Sequence, residues 1–192
     1  MSTEASTIKP YSKVAEEWHT YWQSYQEQHK EMTTEVTMAI GWSSAVPKLK
    51  LVGAKQNGPL PDDVRGMYPP PGYSGERIID AREYALVRNS SWSAGNMTGV
   101  HGEALIIRAW LTDLGDISQT GLRRLSGHSV IVASQPACWC CRAVMEQYGI
   151  AFYEEQGSKP LTGWRHPLSD RTIPNAELPT SEAATKKWII GG

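Results

Sequence analysis

The sequence predicts an α/β fold, and two observations carry that reading. Residues 129–133 form a short β-branched run that ends before Pro136; a helical segment follows over 138–148, and 151–153 make a second short strand. Upstream, Ala104, Ile107, Leu111 and Leu114 recur at helical spacing, so a helix precedes the first of these strands. Strands and helices that alternate in this way define the α/β class.

Taken in order, residues 1–10 are expected to be a flexible tail and 11–192 a single domain, which suits the length of 192 residues. Val14, Trp18, Tyr21, Trp22 and Tyr25 follow Ser12 at helical spacing and predict an amphipathic helix over 12–31. Core packing explains that aromatic stripe better than base binding does. Residues 35–42 and 48–54 are β-rich and are expected to pair as a hairpin across 43–47. Proline and glycine crowd residues 56–76, including Pro69, Pro70, Pro71 and Gly72, and predict a long surface loop. A plain insertion is preferred there to a lid or a channel wall.

Residues 82–88 are expected to be a strand, with Tyr84, Leu86 and Arg88 on one face and Ala85 and Val87 on the other. Thr98 is the expected cap of the next helix. Leu105, Ile106, Ala109 and Trp110 widen the apolar stripe of that helix until most of its sides must be buried. Gly149 suits the position after the 138–148 helix, and Ile150 the contact that follows it. Beyond Tyr153, residues 156–160 read as a turn and 161–165 as a final strand. The short connection would make that strand antiparallel to 151–153. A terminal helix is expected over 180–190, with Lys186 and Lys187 near its C-terminal end.

The chemistry-bearing residues lie in His101-Gly102-Glu103 and Pro136-Ala137-Cys138-Trp139-Cys140-Cys141. A C-x-x-C pair alone also fits a redox dithiol or half of a structural zinc knot. Structural zinc takes four protein ligands, whereas catalytic zinc takes three and a water. His101 and Glu103 are two apart, so they converge only in a first helical turn. Cys138 and Cys141 are three apart and share a face at the start of their helix, where the positive dipole end favours thiolate. Cys140 offers another pairing with Cys138, but it points away around the helix and reads as a small buried residue. A structural site would need a fourth ligand, for which His128 and His166 come first among the remaining histidines.

Together these two segments resemble the signature of the cytidine deaminase-like superfamily, with the likeness spanning residues 85–153. The resemblance implies a three-layer α-β-α fold with a central mixed sheet. It implies Zn2+ held by His101, Cys138 and Cys141, with Glu103 carrying protons from water to the ring nitrogen and the leaving amine. It also implies a sugar contact just before His101. Asn89 fits that role best by position and Asn96 next, although Asn89 fits an ordinary turn equally well. Trp92 and Trp139 are the candidates for stacking on a base. Ala137 departs from the family pattern, since it separates the proline from the first cysteine.

The implied reaction replaces an exocyclic amine by water at C4 of cytosine or C6 of adenine. An antiparallel ending resembles the free-nucleoside and bacterial toxin deaminases more than the tRNA adenosine and vertebrate DNA-editing branches. The N-terminal helix, the long loop and the Pro-Ala-Cys variation resemble the toxin group. That group implies cytosine in single-stranded DNA or RNA as substrate and an immunity-type inhibitor as partner. A deaminase of free cytidine, deoxycytidine or another small molecule is the alternative, and a non-catalytic zinc-stabilised binding module is a third reading.

Composition sets the outer bounds. A net charge of -1 gives no general basic field for nucleic acid, which leans toward a small substrate, although a local groove can still be basic. A hydrophobic content of 40% supports a sizeable core. Three cysteines, two of them assigned to metal, leave no disulfide framework. Residues 1–5 lack the basic and apolar regions of a signal peptide, and no apolar run approaches a membrane span. A reducing cytoplasm is the simplest expectation, and it is compatible with delivery into another cell. The sequence carries no sign of oligomeric state.

Overall fold

A computed structural model of the chain describes residues 20, 23–24, 27–28, 38–55, 59–60, 62–65, 77–85, 100–133, 137–152, 159–160, 164–169, 171–173 and 178–190. The expected tail, most of the 12–31 helix, most of the 56–76 loop, Asn89, Trp92, Asn96 and Thr98 lie outside these residues. The described positions between 20 and 28 are helical, and Ser24 Oγ donates to the Thr20 carbonyl at 3.1 Å.

The elements run β1 (Met38–Ser43), β2 (Leu51–Lys55), α1 (Asp62–Arg65), β3 (Ile79–Asp80), α2 (Ala81–Ala85), α3 (Gly102–Leu114), α4 (Gln119–Leu125), β4 (Ser129–Ala133), α5 (Trp139–Gln147), β5 (Ala151–Phe152) and α6 (Glu182–Ile190). The strands form one mixed five-stranded sheet in the order β3-β2-β1-β4-β5. β1 pairs antiparallel with β2 (Met38 opposite Lys55) and with β4 (Ala39 opposite Ala133). β2–β3 and β4–β5 are parallel. The expected hairpin is present, and the helix between β4 and β5 is the crossover that their parallel pairing requires.

Alternation along the strands buries apolar side chains on both faces of the sheet. Ala39, Val52, Ala54 and Ile131 face a core built with Leu105, Ile106 and Trp110 of α3, Leu122 of α4, Val144 of α5 and Ile189 of α6. Met38, Ile40, Leu51, Val130 and Val132 face the other way, against Leu60, Val64 and Ile78. All residues of α3 from Gly102 to Leu111 are buried, in line with its wide apolar stripe.

Two elements correct the sequence reading. Residues 81–85 are helical, not part of a strand over 82–88; residues 86–88 lie outside the described part. The Asp80 carboxylate accepts the Arg82 N–H at 3.0 Å and the Leu60 N–H at 2.9 Å, so it turns the chain out of β3 and starts α2. The expected final strand over 161–165 does not join the sheet through its described residues. Arg165 instead bridges Thr172, the His166 N–H donates to the Arg171 carbonyl at 2.8 Å, and the Ile173 N–H donates to the Trp164 carbonyl at 3.1 Å. The Leu168 and Ser169 N–H groups donate to His166 Nδ1 at 3.1 and 3.3 Å, which closes a tight turn and folds this segment on itself.

Candidate metal centre

The site is assembled from the starts of two helices. His101 is the residue before α3 and has extended backbone, with φ -81° and ψ 151°. Thr98 is therefore not the cap of α3; His101 holds that position, and its carbonyl accepts the Leu105 N–H at 3.1 Å. Gly102 then sets the height of the helix over the sheet. A Cβ there would lie 3.1 Å from the Ala39 Cβ and 3.1 Å from the Ala54 carbonyl oxygen, tighter than ordinary contact, so a larger residue would press α3 away from β1 and β2.

Cys138 caps α5 in the same way, and its sulfur accepts the Cys141 N–H at 3.4 Å. The extra residue Ala137 thus leaves a normal helix start intact. Gly149 closes the other end with φ 61°, the left-handed conformation expected after a helix C-terminus.

These starts bring His101, Cys138 and Cys141 together, with one potential ligand atom from each lying within 4.8 Å of the others. The group can hold a metal ion. The Cys141 sulfur is 3.7 Å from His101 Nδ1. Tetrahedral zinc with nitrogen at about 2.1 Å and sulfur at about 2.3 Å puts those two atoms about 3.6 Å apart. The fit extends to the donor types, two thiols and an imidazole. Neither His128 nor His166 joins this cluster, and among the described residues no other such group of three occurs. Cys140 is fully buried and is not part of the cluster, as its position around the helix predicted.

Glu103 lies in the first turn of α3 and is 2% exposed. Its Oε2 and the Nε2 of His101 are buried without a protein hydrogen-bond partner. Buried polar atoms without partners suit a site that takes up a polar ligand or water. Burial raises the Glu103 carboxyl above the usual range, against the opposing charge of His101.

The sulfurs are electrostatically unequal. Burial raises the Cys138 thiol, but hydrogen bonds with Cys140, Cys141 and His101, and the His101 charge, outweigh burial and hold it well below its ordinary value. Burial and the Cys138 thiolate push Cys141 well above. Burial pulls His101 down, but its hydrogen bond to Cys138 and the charges of Cys138 and Glu103 leave it raised. Of the two sulfurs, Cys138 is thus the one whose surroundings favour loss of its proton, and Cys141 the one whose surroundings favour keeping it. Metal uptake must displace the remaining protons.

Trp139 is the first residue of α5, half-buried and between the two cysteines. Trp164 and Pro167 also line the site, Arg108 holds Pro167, and none of the three carries a sequence signal. Trp164 Nε1 donates to the Cys141 sulfur at 3.3 Å, and the buried Arg108 donates to the Pro167 carbonyl at 3.0 Å. A narrow crevice here is lined by Glu103, Ala104, Ile107, Cys141, Val144, Trp164 and Pro167. Among the described residues, no helix is long and apolar enough to cross a membrane. No protein-family model, curated protein or solved structure matches the chain.

Proposed function

We propose that the chain is a zinc-dependent hydrolase that deaminates a nucleobase, with the three-layer architecture of the cytidine deaminase-like superfamily. The observation that carries this reading is the convergence of His101, Cys138 and Cys141 from two helix starts, with the buried Glu103 carboxyl beside them. Three protein ligands and an adjacent carboxyl suit a catalytic centre better than a closed structural one.

Zinc held by His101, Cys138 and Cys141 would supply the Lewis acidity that makes water a nucleophile near neutral pH. The chain's own contribution is proton transfer. Glu103 Oε2, free of protein partners, accepts a proton from the attacking water and delivers it to the ring nitrogen; a second transfer releases the amine as ammonia. Burial raises its carboxyl above the usual range, the direction that favours uptake of a proton from water. Cytosine and water thereby give uracil and ammonia.

Cytosine in single-stranded nucleic acid is the leading substrate, and free cytidine or deoxycytidine is the alternative, favoured by the net charge of -1. Trp139, which lies between Cys138 and Cys141 in the sequence, is the proposed wall for a base. Asn89 and Trp92 complete the proposed substrate contacts from the sequence alone. A reducing compartment, delivery into a second cell and an immunity-type inhibitor belong to the same proposal.

The lowered Cys138 thiol at a helix start also favours a second reading, a redox dithiol. Cys138 is 3% exposed and in contact with His101, which leaves a dithiol partner little access. The deciding experiment incubates zinc-loaded protein with single-stranded DNA, duplex DNA, RNA, cytidine and adenosine. Uracil or inosine supports the proposal and identifies the substrate; reduction of a disulfide substrate with no deaminated product overturns it.

A further inference from the structure

The Trp164 indole ring is completely buried, and its one polar atom is aimed at the metal cluster. An indole N–H only donates, and a buried one needs an acceptor. Here the acceptor is the sulfur of Cys141 at 3.3 Å.

The ring is held on several sides. His166 meets it edge-on with centroids 5.9 Å apart, and Trp188 of α6 does so at 6.2 Å. His166 is fixed by the two N–H groups that donate to its Nδ1. Trp188 lies under the Arg171 guanidinium, 4.1 Å from its ring centroid, and its carbonyl accepts from Arg171 Nη1 at 3.4 Å. Arg108 ties the same segment to α3 through the Pro167 carbonyl. Among the described residues, the other fully buried indole, that of Trp110, finds its acceptor in a backbone carbonyl, that of Leu49 at 2.9 Å, whereas Trp164 finds it in a sulfur of the cluster.

We propose that Trp164 is a positioning residue for the metal centre: its N–H fixes the orientation of the Cys141 sulfur and withdraws charge from it. The inference rests on the metal-binding reading above. A hydrogen bond to a thiolate stabilises the sulfur lone pairs, so the sulfur donates less charge to the metal and the metal remains a stronger Lewis acid. Each thiolate then has its own N–H donor: the Cys141 backbone serves Cys138, and the Trp164 indole serves Cys141. The sequence gap of 23 residues between Trp164 and Cys141 hides this contact from motif reading.

The test is cobalt(II) titration of the full chain, followed through the thiolate-to-cobalt charge-transfer band. Trp164→Phe removes the N–H. Benzothienylalanine at position 164 also removes it while keeping the shape of the ring, so it decides the matter if the phenylalanine variant does not fold. Both changes are expected to move the band to longer wavelength and to weaken cobalt binding roughly tenfold or more. A merely structural Trp164 would leave the band of the benzothienyl variant where the unmodified protein has it, which overturns this inference alone. If the unmodified protein shows no thiolate–cobalt band, the metal reading itself fails and takes the inference with it.

Discussion

The sulfur of Cys138 accepts the backbone N–H of Cys141 at 3.4 Å, so the first cysteine of the pair is also the cap of the helix that presents the second. One side chain thereby serves local folding and the proposed metal site, and substitutions separate the two roles. Serine caps a helix well, and losing a good cap costs about 1 kcal/mol. Cys138→Ser is expected to keep the helix start and lose tight metal binding, whereas Cys138→Ala loses both. Denaturant unfolding in the presence of a chelator should rank the serine variant as the more stable by about 1 kcal/mol.

Gly102 supplies a prediction with an unusual sign. Replacing glycine by alanine inside a helix ordinarily stabilises by about 0.5–1 kcal/mol. Here the new methyl group would press on Ala39 and on the Ala54 carbonyl oxygen, each at 3.1 Å. Gly102→Ala is therefore expected to destabilise by about 1–3 kcal/mol, as overpacking does, and to weaken metal binding by shifting His101. Urea unfolding and a metal titration of the same variant check both effects. Unchanged or increased stability contradicts the close packing of α3 on the sheet.

The terminal helix distinguishes apolar from ionic contributions. Ile189 of α6 is 4% exposed in the main core, while Lys186 reaches Glu146 at 2.7 Å from a partly exposed position. Ile189→Ala is expected to cost about 2 kcal/mol or more. Lys186→Ala should cost less than about 1 kcal/mol, because solvent screens the pair. Equal losses in thermal unfolding would show that α6 is held by its charges.

Metal binding should couple to stability and to pH. A ligand that binds only the folded chain at 1,000 times its dissociation constant stabilises by about 4 kcal/mol. Removing metal with a chelator is thus expected to lower the melting temperature. Metal must displace protons from the Cys141 thiol and the raised His101 imidazole, so its apparent affinity should fall as pH falls. Titrations across the neutral to mildly acidic range measure this directly. Affinity that is flat with pH would argue against thiolate and imidazole ligands.

Much of the fold was legible because local patterns and tertiary burial agree. The β-branched run at 129–133 coincides with β4, and the hairpin of β1 and β2 followed from two β-rich segments. The cluster that can hold a metal was legible because its spacings are local: Cys138 and Cys141 lie within one turn at the start of one helix. Period-two reading failed at residues 82–85, where a short alternation fits a helix equally well and the Asp80 carboxylate decides. Helix α4 went unexpected, although Ser118 caps it by accepting the Thr120 and Gly121 N–H groups. Trp164 was hidden for a different reason. Its hydrogen bond to Cys141 depends on how a loop folds back over α3 and α5, and no spacing in the chain encodes that.

In the proposed reaction, Glu103 moves protons beside a metal held by His101, Cys138 and Cys141. The most direct measurement compares the zinc-loaded unmodified protein with Glu103→Gln, scoring zinc content and uracil formed from single-stranded oligonucleotides and from cytidine. The account predicts one zinc per chain in both proteins, uracil from the unmodified protein, and a rate lower by about 100-fold or more in the glutamine variant. Equal rates in the two proteins, or an unmodified protein that binds zinc and deaminates none of these substrates, would contradict it.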